Sequence, residues 1–240
     1  MKIISIFNFP NNYQYNTLCE WWLESALKHS DLPVEIWYED DKPSVWRPDD
    51  RVSYLQKERL DIVPLLPNNL VSDKSKHNVG FKLYNLCHED SPFIFIDADA
   101  ILMKNIAPLL EASKRKPFIT VDHQHIPGHT SHIPFKFLNS GLQVCSDTSI
   151  LDFKSILHYQ NLHTAFLCPG TDQAMLYNYF KYIDYDYTDP DVDWRWNNCA
   201  GLVFNLDEVA INHYWYNFKP WTINCPAWNR FIQGKEHDKV

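Results

Sequence analysis

The chain has 240 residues, a net charge of −8 with histidine neutral, and 45% apolar residues, with aromatic side chains making up 15% of the total. This composition fits one large packed domain and argues against disorder, while the acidic balance and the lack of a long Lys/Arg run exclude a general nucleic-acid binder, which needs a basic face to displace counterions. Six cysteines, at positions 19, 87, 145, 168, 199 and 225, are scattered without a CxxC pair; this is neither a zinc ribbon nor a disulfide framework, and it is the usage expected of a reduced cytoplasmic protein.

The opening "MKIISIFNFP" has an apolar run too short for a signal-peptide core and no small-residue cleavage site, so it reads as a first strand. No window holds eighteen consecutive apolar residues, so no transmembrane helix is expected and any membrane contact would be peripheral. After the turn signal "PNN", the segment "YNTLCEWWLESALKHS" carries Leu18, Trp21, Trp22 and Ala26 at roughly helical spacing. "LPVEIWYED" reads as a second strand, and the strand, helix, strand order favours a parallel sheet with a right-handed crossover. Residues 40 to 72, rich in Pro, Asp and Asn, are expected to be loop with one or two helical turns. "SKHNVGFKLYNLCHE" reads as a helix, and "FIFI" as a strand covered on both faces. "NIAPLLEAS" follows as a short helix, then "PFITVD" and "GLQVCS" as strands. "SILDFKSILHYQ" and "DQAMLYNYFKYI" read as helices, with Pro169 and Gly170 breaking the chain before the second. "DYDYTDPDVDW" fits neither strand nor loop decisively, "EVAINHY" fits a short last strand, and "GKEHDKV" is expected to fray.

The strand "FIFI" runs directly into Asp97 and Asp99. In open α/β sheets ligands bind beyond the carboxyl ends of the strands, where these acids fall. Two carboxylates so close repel each other, and a divalent cation shared between them relieves this. Such a cation can also bridge the phosphates of a nucleotide diphosphate. A DxD triplet on its own is equally the pattern of a strand capped by solvated acids.

The longer run "FKLYNLCHEDSPFIFIDADAILMKNIAPLLEA" resembles the nucleotide-sugar-binding segment of the glycogenin-like glycosyltransferases, family 8 of the retaining GT-A enzymes. Downstream, "LNSGLQVCS" is similar to that family's Asn-Ser-Gly strand, "GTDQAML" to its Gly-Asp-Gln segment, and "INHYWYNFKPW" to its closing His-to-Lys-Pro-Trp motif. The four blocks stand in the family order across about residues 78 to 221. The resemblance implies an α/β fold of GT-A type, with a Rossmann-like, mostly parallel central sheet flanked by helices in a single domain. The donor-binding part would span about 1 to 105, and the acceptor and closing part about 106 to 230.

It also implies roles for individual residues. Asp97, Asp99 and His213 would hold a metal, usually manganese in that family, with magnesium as the alternative; the carboxylate and imidazole set suits manganese better than calcium. Asp97 would also lie near the ribose, with Ala98 against the donor. Lys82 and Lys219 would meet the diphosphate as point charges. Asn139, Ser140 and Gly141 would line the sugar pocket, the glycine permitting close backbone approach. Asp172 and Gln173 would flank the anomeric carbon, and Tyr13 would border the uridine pocket, to which Phe7, Asn11 and Asn12 also match weakly. The partners implied are a nucleotide-sugar donor and a glycan or glycoconjugate acceptor. The chain departs from the family pattern at Tyr216, where a Gly is usual, and at Leu138, where Phe is common.

Each residue also has a purely structural reading: His213 as a core histidine, Lys82 as a solvated helix residue, and Asp172 as an N-terminal helix charge. His123, His125, His129 and His132 read as a polar loop near the acceptor rather than a second metal site, since no cysteine completes a zinc spacing. Trp194, Trp196, Trp215, Trp221 and Trp228 read mostly as core or lid packing, with sugar stacking as the alternative. Two other functions fit parts of the chain. One is a phosphohydrolase of the haloacid dehalogenase type, whose first motif is also DxD after an apolar strand. The other is a sugar-nucleotide-binding protein without turnover.

Overall fold

The computed structural model describes residues 1–8, 12–43, 45, 49–122, 138–162, 171–200, 207–214 and 218–237. Asn11, the histidines between 123 and 132, Cys168, Pro169, Gly170, Trp215 and Tyr216 lie outside the described residues. The first half follows the expected order. Strand β1 (Lys2–Ile6) leads to helix α1 (Tyr13–His29), capped by the Asn12 side chain, and then to β2 (Val34–Tyr38). The 40–72 segment holds an expected helical turn, a 3-10 turn at Asn68–Leu70, but departs from expectation in containing a strand, β3 (Val52–Gln56), paired in parallel with β2. β3 is a half-exposed edge strand, so it carries little of the apolar signal by which buried strands are read.

A helical segment follows in three parts, α2 (Asp73–Ser75), a π-helical stretch Lys76–Leu83, and α3 (Tyr84–Cys87). Gly80 lets this segment lie on the backbone of residue 60: the Leu60 N–H donates to the Gly80 carbonyl at 2.8 Å, and a Cβ on Gly80 would come within 2.6 Å of the Leu60 carbonyl oxygen. Strand β4 (Phe93–Ile96) then enters the sheet, followed by β5 (Ala100–Leu102), α4 (Ala107–Ser113), β6 (Phe118–Asp122) and β7 (Leu138–Cys145). Helices α5 (Phe153–Leu162) and α6 (Asp172–Tyr182), the short strands β8 (Asn198–Cys199) and β9 (Ile211–His213), and α7 (Pro226–His237) complete the described chain. The stretch expected to fray is helical as far as His237, and α7 is pinned by Trp228 and Phe231 against Trp21 of α1.

The six-stranded sheet has the order β3-β2-β1-β4-β7-β6, with β1 to β4 parallel and β7 antiparallel to both its neighbours. Alternation along β4 explains its unbroken apolar run. Ile94 and Ile96 pack with Leu18, Trp22 and Ala26 on one face, while Phe93 and Phe95 pack with Met175, Leu176 and Phe180 on the other. All four β4 side chains are fully buried, each stabilising the fold by about 1.5–3 kcal/mol relative to exposure.

A second sheet, β5-β9-β8, begins where the first ends. The chain leaves β4, turns through Asp97–Asp99 with the Ala100 N–H donating to the Asp97 carbonyl at 2.9 Å, and pairs as β5 with β9 in the register Ala100↔His213. The acidic "DYDYTDPDVDW" segment is neither a strand nor a loose loop. Asp189 in it takes a two-pronged bond from Arg115, at 2.9 and 2.6 Å, and bridges to Val192. The five described cysteines are unbridged. No helix among the described residues is long and apolar enough to cross a membrane.

Candidate functional site

A cavity of about 580 Å³ opens at the carboxyl edge of β4, within the range of small-molecule sites. Its floor is built from the two sheets. Asp97 and Asp99 stand in the β4–β5 turn, and β9 carries His213 beside them. The link is main-chain, since the Tyr214 N–H donates to the Asp99 carbonyl at 2.7 Å. His213 Nε2 lies 3.1 Å from Asp99 Oδ1 and 3.8 Å from Asp97 Oδ2, and ligating atoms of the three residues lie within 4.8 Å of one another.

Gly141 makes room for this histidine. A Cβ there would stand 2.4 Å from His213 Cε1 and 2.7 Å from Nδ1, closer than side-chain carbons approach. The requirement for glycine thus arises at the imidazole ring, in addition to any ligand. The Asn139-Ser140-Gly141 run is set by an irregularity in the β6–β7 ladder, where pairing passes from Thr120↔Gln143 to Val121↔Asn139. Bulges re-aim side chains in this way. The Asn139 side chain accepts from the Gly141 N–H at 2.8 Å, and the Gly141 carbonyl accepts from the Asp97 N–H at 2.9 Å.

Lysines neutralise the acids. Lys219, in the turn before α7, pairs directly with Asp99 Oδ2. Burial by itself would raise the Asp99 pKa, but His213 and Lys219 outweigh it and hold that carboxyl well below the usual aspartate range. On the opposite wall, Lys82 emerges from the π-helical stretch and donates to Asp97 Oδ1 at 2.9 Å and to the Ser140 carbonyl at 3.0 Å. It also pairs with Asp172 Oδ2 at 3.0 Å. Burial depresses the Lys82 ammonium, yet Asp172 and Asp97 more than offset this and its pKa is raised. Asp172 is the first residue of α6, whose N-cap Thr171 accepts from the Ala174 N–H, so its charge also lies at the favourable end of the helix dipole. Gln173 beside it accepts from the Ser140 N–H at 3.5 Å.

The cavity therefore gathers Lys82, Asp97, Ala98, Asp99, Asn139, Ser140, Gly141, Asp172, Gln173, His213 and Lys219. Tyr13 stands apart: it is 72% exposed and does not line the cavity, whereas Tyr15 does, with Lys219 Nζ 5.4 Å from its ring centre. Both lie in the first turn of α1, and two residues on a helix differ by about 200° in direction. Phe7 is buried edge-on against Trp22, and Asn12 caps α1. Among the tryptophans, Trp196 and Trp228 are buried and Trp221 packs between Tyr15 and Trp228; no tryptophan among the described residues lines the cavity. His77 and Asn78, one turn before Lys82, line the wall without having been singled out from sequence, as does Lys74 at its rim. Burial and the Lys82 charge lower the pKa of His77.

Two carboxylates and an imidazole, oxygen and nitrogen donors within reach of one another, fit a divalent ion such as Mn²⁺ or Mg²⁺. The space Gly141 leaves for the ring holds the third donor in place.

No family model matches the chain. No curated protein matches it either. Solved structures do match, among them glycosyltransferases whose GT-A fold this chain shares. An active-site mutant of LgtC superposes with a TM-score of 0.64 at 14% identity, over 97% of this chain and 94% of that one. The galactosyltransferase LgtC in complex with donor and acceptor sugar analogues gives a TM-score of 0.60 at 14% identity, over 97% and 94%. The WbbM bifunctional glycosyltransferase gives 0.63 at 13% identity, over 97% of this chain but 49% of that one.

Proposed function

We propose that this chain is a metal-dependent retaining glycosyltransferase of the family 8 kind. It transfers a sugar from a nucleotide diphosphate donor, a UDP-sugar, to an acceptor hydroxyl of a glycan or glycoconjugate. One observation carries this reading: the Asp97, Asp99 and His213 group shares a single cavity with two buried lysines and with Asp172. Such a site can hold a cation, a diphosphate and a developing positive charge together. Support comes from the fold likeness to glycosyltransferases, one of them solved with donor and acceptor sugar analogues. In a phosphohydrolase of the haloacid dehalogenase type Asp97 would be the nucleophile, and a covalent aspartyl-phosphate trapped there would decide for that reading.

Asp97, Asp99 and His213 would hold the divalent cation, Mn²⁺ or Mg²⁺, which when bound would neutralise charge on a departing diphosphate. Lys219 and Lys82 add positive charge on either side of it. Ala98 and Tyr15 border the nucleoside. Asn139, Ser140 and Gly141 form the wall against the sugar. Asp172, buried and held by Lys82, faces the anomeric carbon with Gln173 and stabilises oxocarbenium character there. We assign one domain, with the donor part in about residues 1–105 and the acceptor and closing part in about 106–230. A cytoplasmic site of action fits the unbridged cysteines.

The test is a panel of UDP-, GDP- and TDP-sugars assayed for transfer and hydrolysis with Mn²⁺ and with chelator. Metal-dependent turnover of one donor is expected, abolished in Asp99→Ala with the fold retained by circular dichroism. Wild-type turnover in that variant refutes the reading, and UDP–Mn²⁺ binding without turnover of any donor points to a binding protein instead.

A further inference from the structure

His213 is supported from behind by a residue outside the cavity lining. Its Nδ1 lies 2.7 Å from Asn197 Oδ1, while Nε2 faces Asp99 and Asp97. Asn197 is 1% exposed and ends the 3-10 turn Trp194–Trp196, with its own N–H donating to the Trp194 carbonyl at 3.1 Å. The next residue begins β8, which pairs with β9 in the register Asn198↔Asn212 and Cys199↔His213. Asn198 Nδ2 donates to Asn212 Oδ1 at 2.7 Å, and the Ala200 N–H donates to the His213 carbonyl at 2.9 Å. The backbone beneath Asn197 is thus fixed relative to the imidazole. On the other flank, Gly141 leaves the ring just enough space.

An amide oxygen accepts and cannot donate, so its partner on the ring must be an N–H. Asn197 Oδ1 therefore favours the form of His213 protonated at Nδ1, which turns the Nε2 lone pair toward the two carboxylates. Histidines that bind metals are commonly oriented and made more basic by such a partner. Resting on the metal-dependent reading above, we infer that Asn197 is a positioning residue that fixes the tautomer and orientation of His213 and thereby sets the affinity for the divalent cation.

The experiment compares Mn²⁺ binding, followed by the paramagnetic resonance of free Mn²⁺, in the full-length wild type, Asn197→Leu and Asn197→Asp. Leu keeps the volume and loses the acceptor, whereas Asp keeps an acceptor. The expected result is a loss of about 10–100-fold in affinity for Asn197→Leu with affinity retained in Asn197→Asp. A merely structural role would not discriminate the variants by acceptor. Equal Mn²⁺ affinity in wild type and Asn197→Leu overturns the inference and leaves the glycosyltransferase reading standing. No Mn²⁺ binding by the wild type overturns both. If Asn197→Leu fails to fold, the ¹⁵N spectrum of His213 in the Mg²⁺-loaded wild type decides: a proton on Nδ1 supports the inference, and a proton on Nε2 overturns it.

Discussion

Lys219 and Asp99, 120 residues apart in the chain, form a direct ion pair at the floor of the cavity. The same carboxylate belongs to the candidate metal group, so a cation bound there would compete with the lysine for it, and under the proposed function the released lysine would be left beside the diphosphate. Lys219→Met is therefore expected to change two affinities in opposite directions. Mn²⁺ binding without nucleotide should tighten, and binding of UDP to the Mn²⁺-loaded protein should weaken, each by about tenfold, or ~1.4 kcal/mol. Titration calorimetry of the two steps checks this. Weakening of both steps would show that Lys219 does not compete for Asp99.

Gly141 is set by the His213 ring, and Gly141→Ala tests that contact. The added methyl meets Cε1 and Nδ1 well inside contact distance, with Asn139 Oδ1 at 3.1 Å on a third side. Because His213 sits in buried structure, the strain should destabilise the fold by about 1–3 kcal/mol in urea denaturation. Metal affinity should fall with it, as the imidazole is pushed out of register with the carboxylates. A variant with unchanged stability and unchanged Mn²⁺ affinity would mean that the ring moves freely.

Lys82 holds Asp97 and Asp172 together, and its side chain is 6% exposed. Removing the charge strands the buried Asp172 carboxylate and takes one cationic partner from Asp97, which is partly exposed. Lys82→Met should therefore lose about 3–5 kcal/mol of stability as well as donor turnover. Arginine should not restore turnover, since a planar fork does not replace a point charge that meets Asp97, Asp172 and the Ser140 carbonyl at once. Full turnover in Lys82→Arg would show that charge alone suffices.

The Arg115–Asp189 clamp lies away from the cavity and gives a prediction on pH. The bond from Arg115 lowers the Asp189 pKa despite its burial. A carboxyl depressed in the folded state binds a proton more readily when unfolded. Its stabilising effect is thus complete above the ordinary aspartate value of about 3.9 and is lost as pH falls through the depressed value. Asp189→Asn should be less stable than wild type at pH 7, and the gap should close as the urea midpoint is followed to pH 2.5. A gap independent of pH would remove the ion pair as its cause.

Local pattern was enough to identify the buried strands of the six-stranded sheet and the helices α1, α4, α5 and α6. The alternating Phe and Ile of "FIFI" reports two apolar faces, and a helix such as α1 declares itself through Leu18, Trp22 and Ala26, because periodicity is written in neighbouring residues. The half-exposed edge strand β3 left no such pattern, and α7 is held through Trp228 and Phe231 by Trp21, more than two hundred positions earlier, where no local rule reaches. The ordered motifs named Asp97, Asp99, Lys82, Asp172, His213 and Lys219, since charged groups within such blocks are visible one by one. Their mutual geometry was not visible. Pairing of β5 with β9 sets His213 against Asp99, the phase of α1 turns Tyr15 inward and Tyr13 outward, the imidazole imposes glycine at 141, and β8 carries Asn197 behind the ring. Residue types and local periodicity depend on nearest neighbours, whereas a site depends on which distant segments pack together, and only the folded chain specifies that.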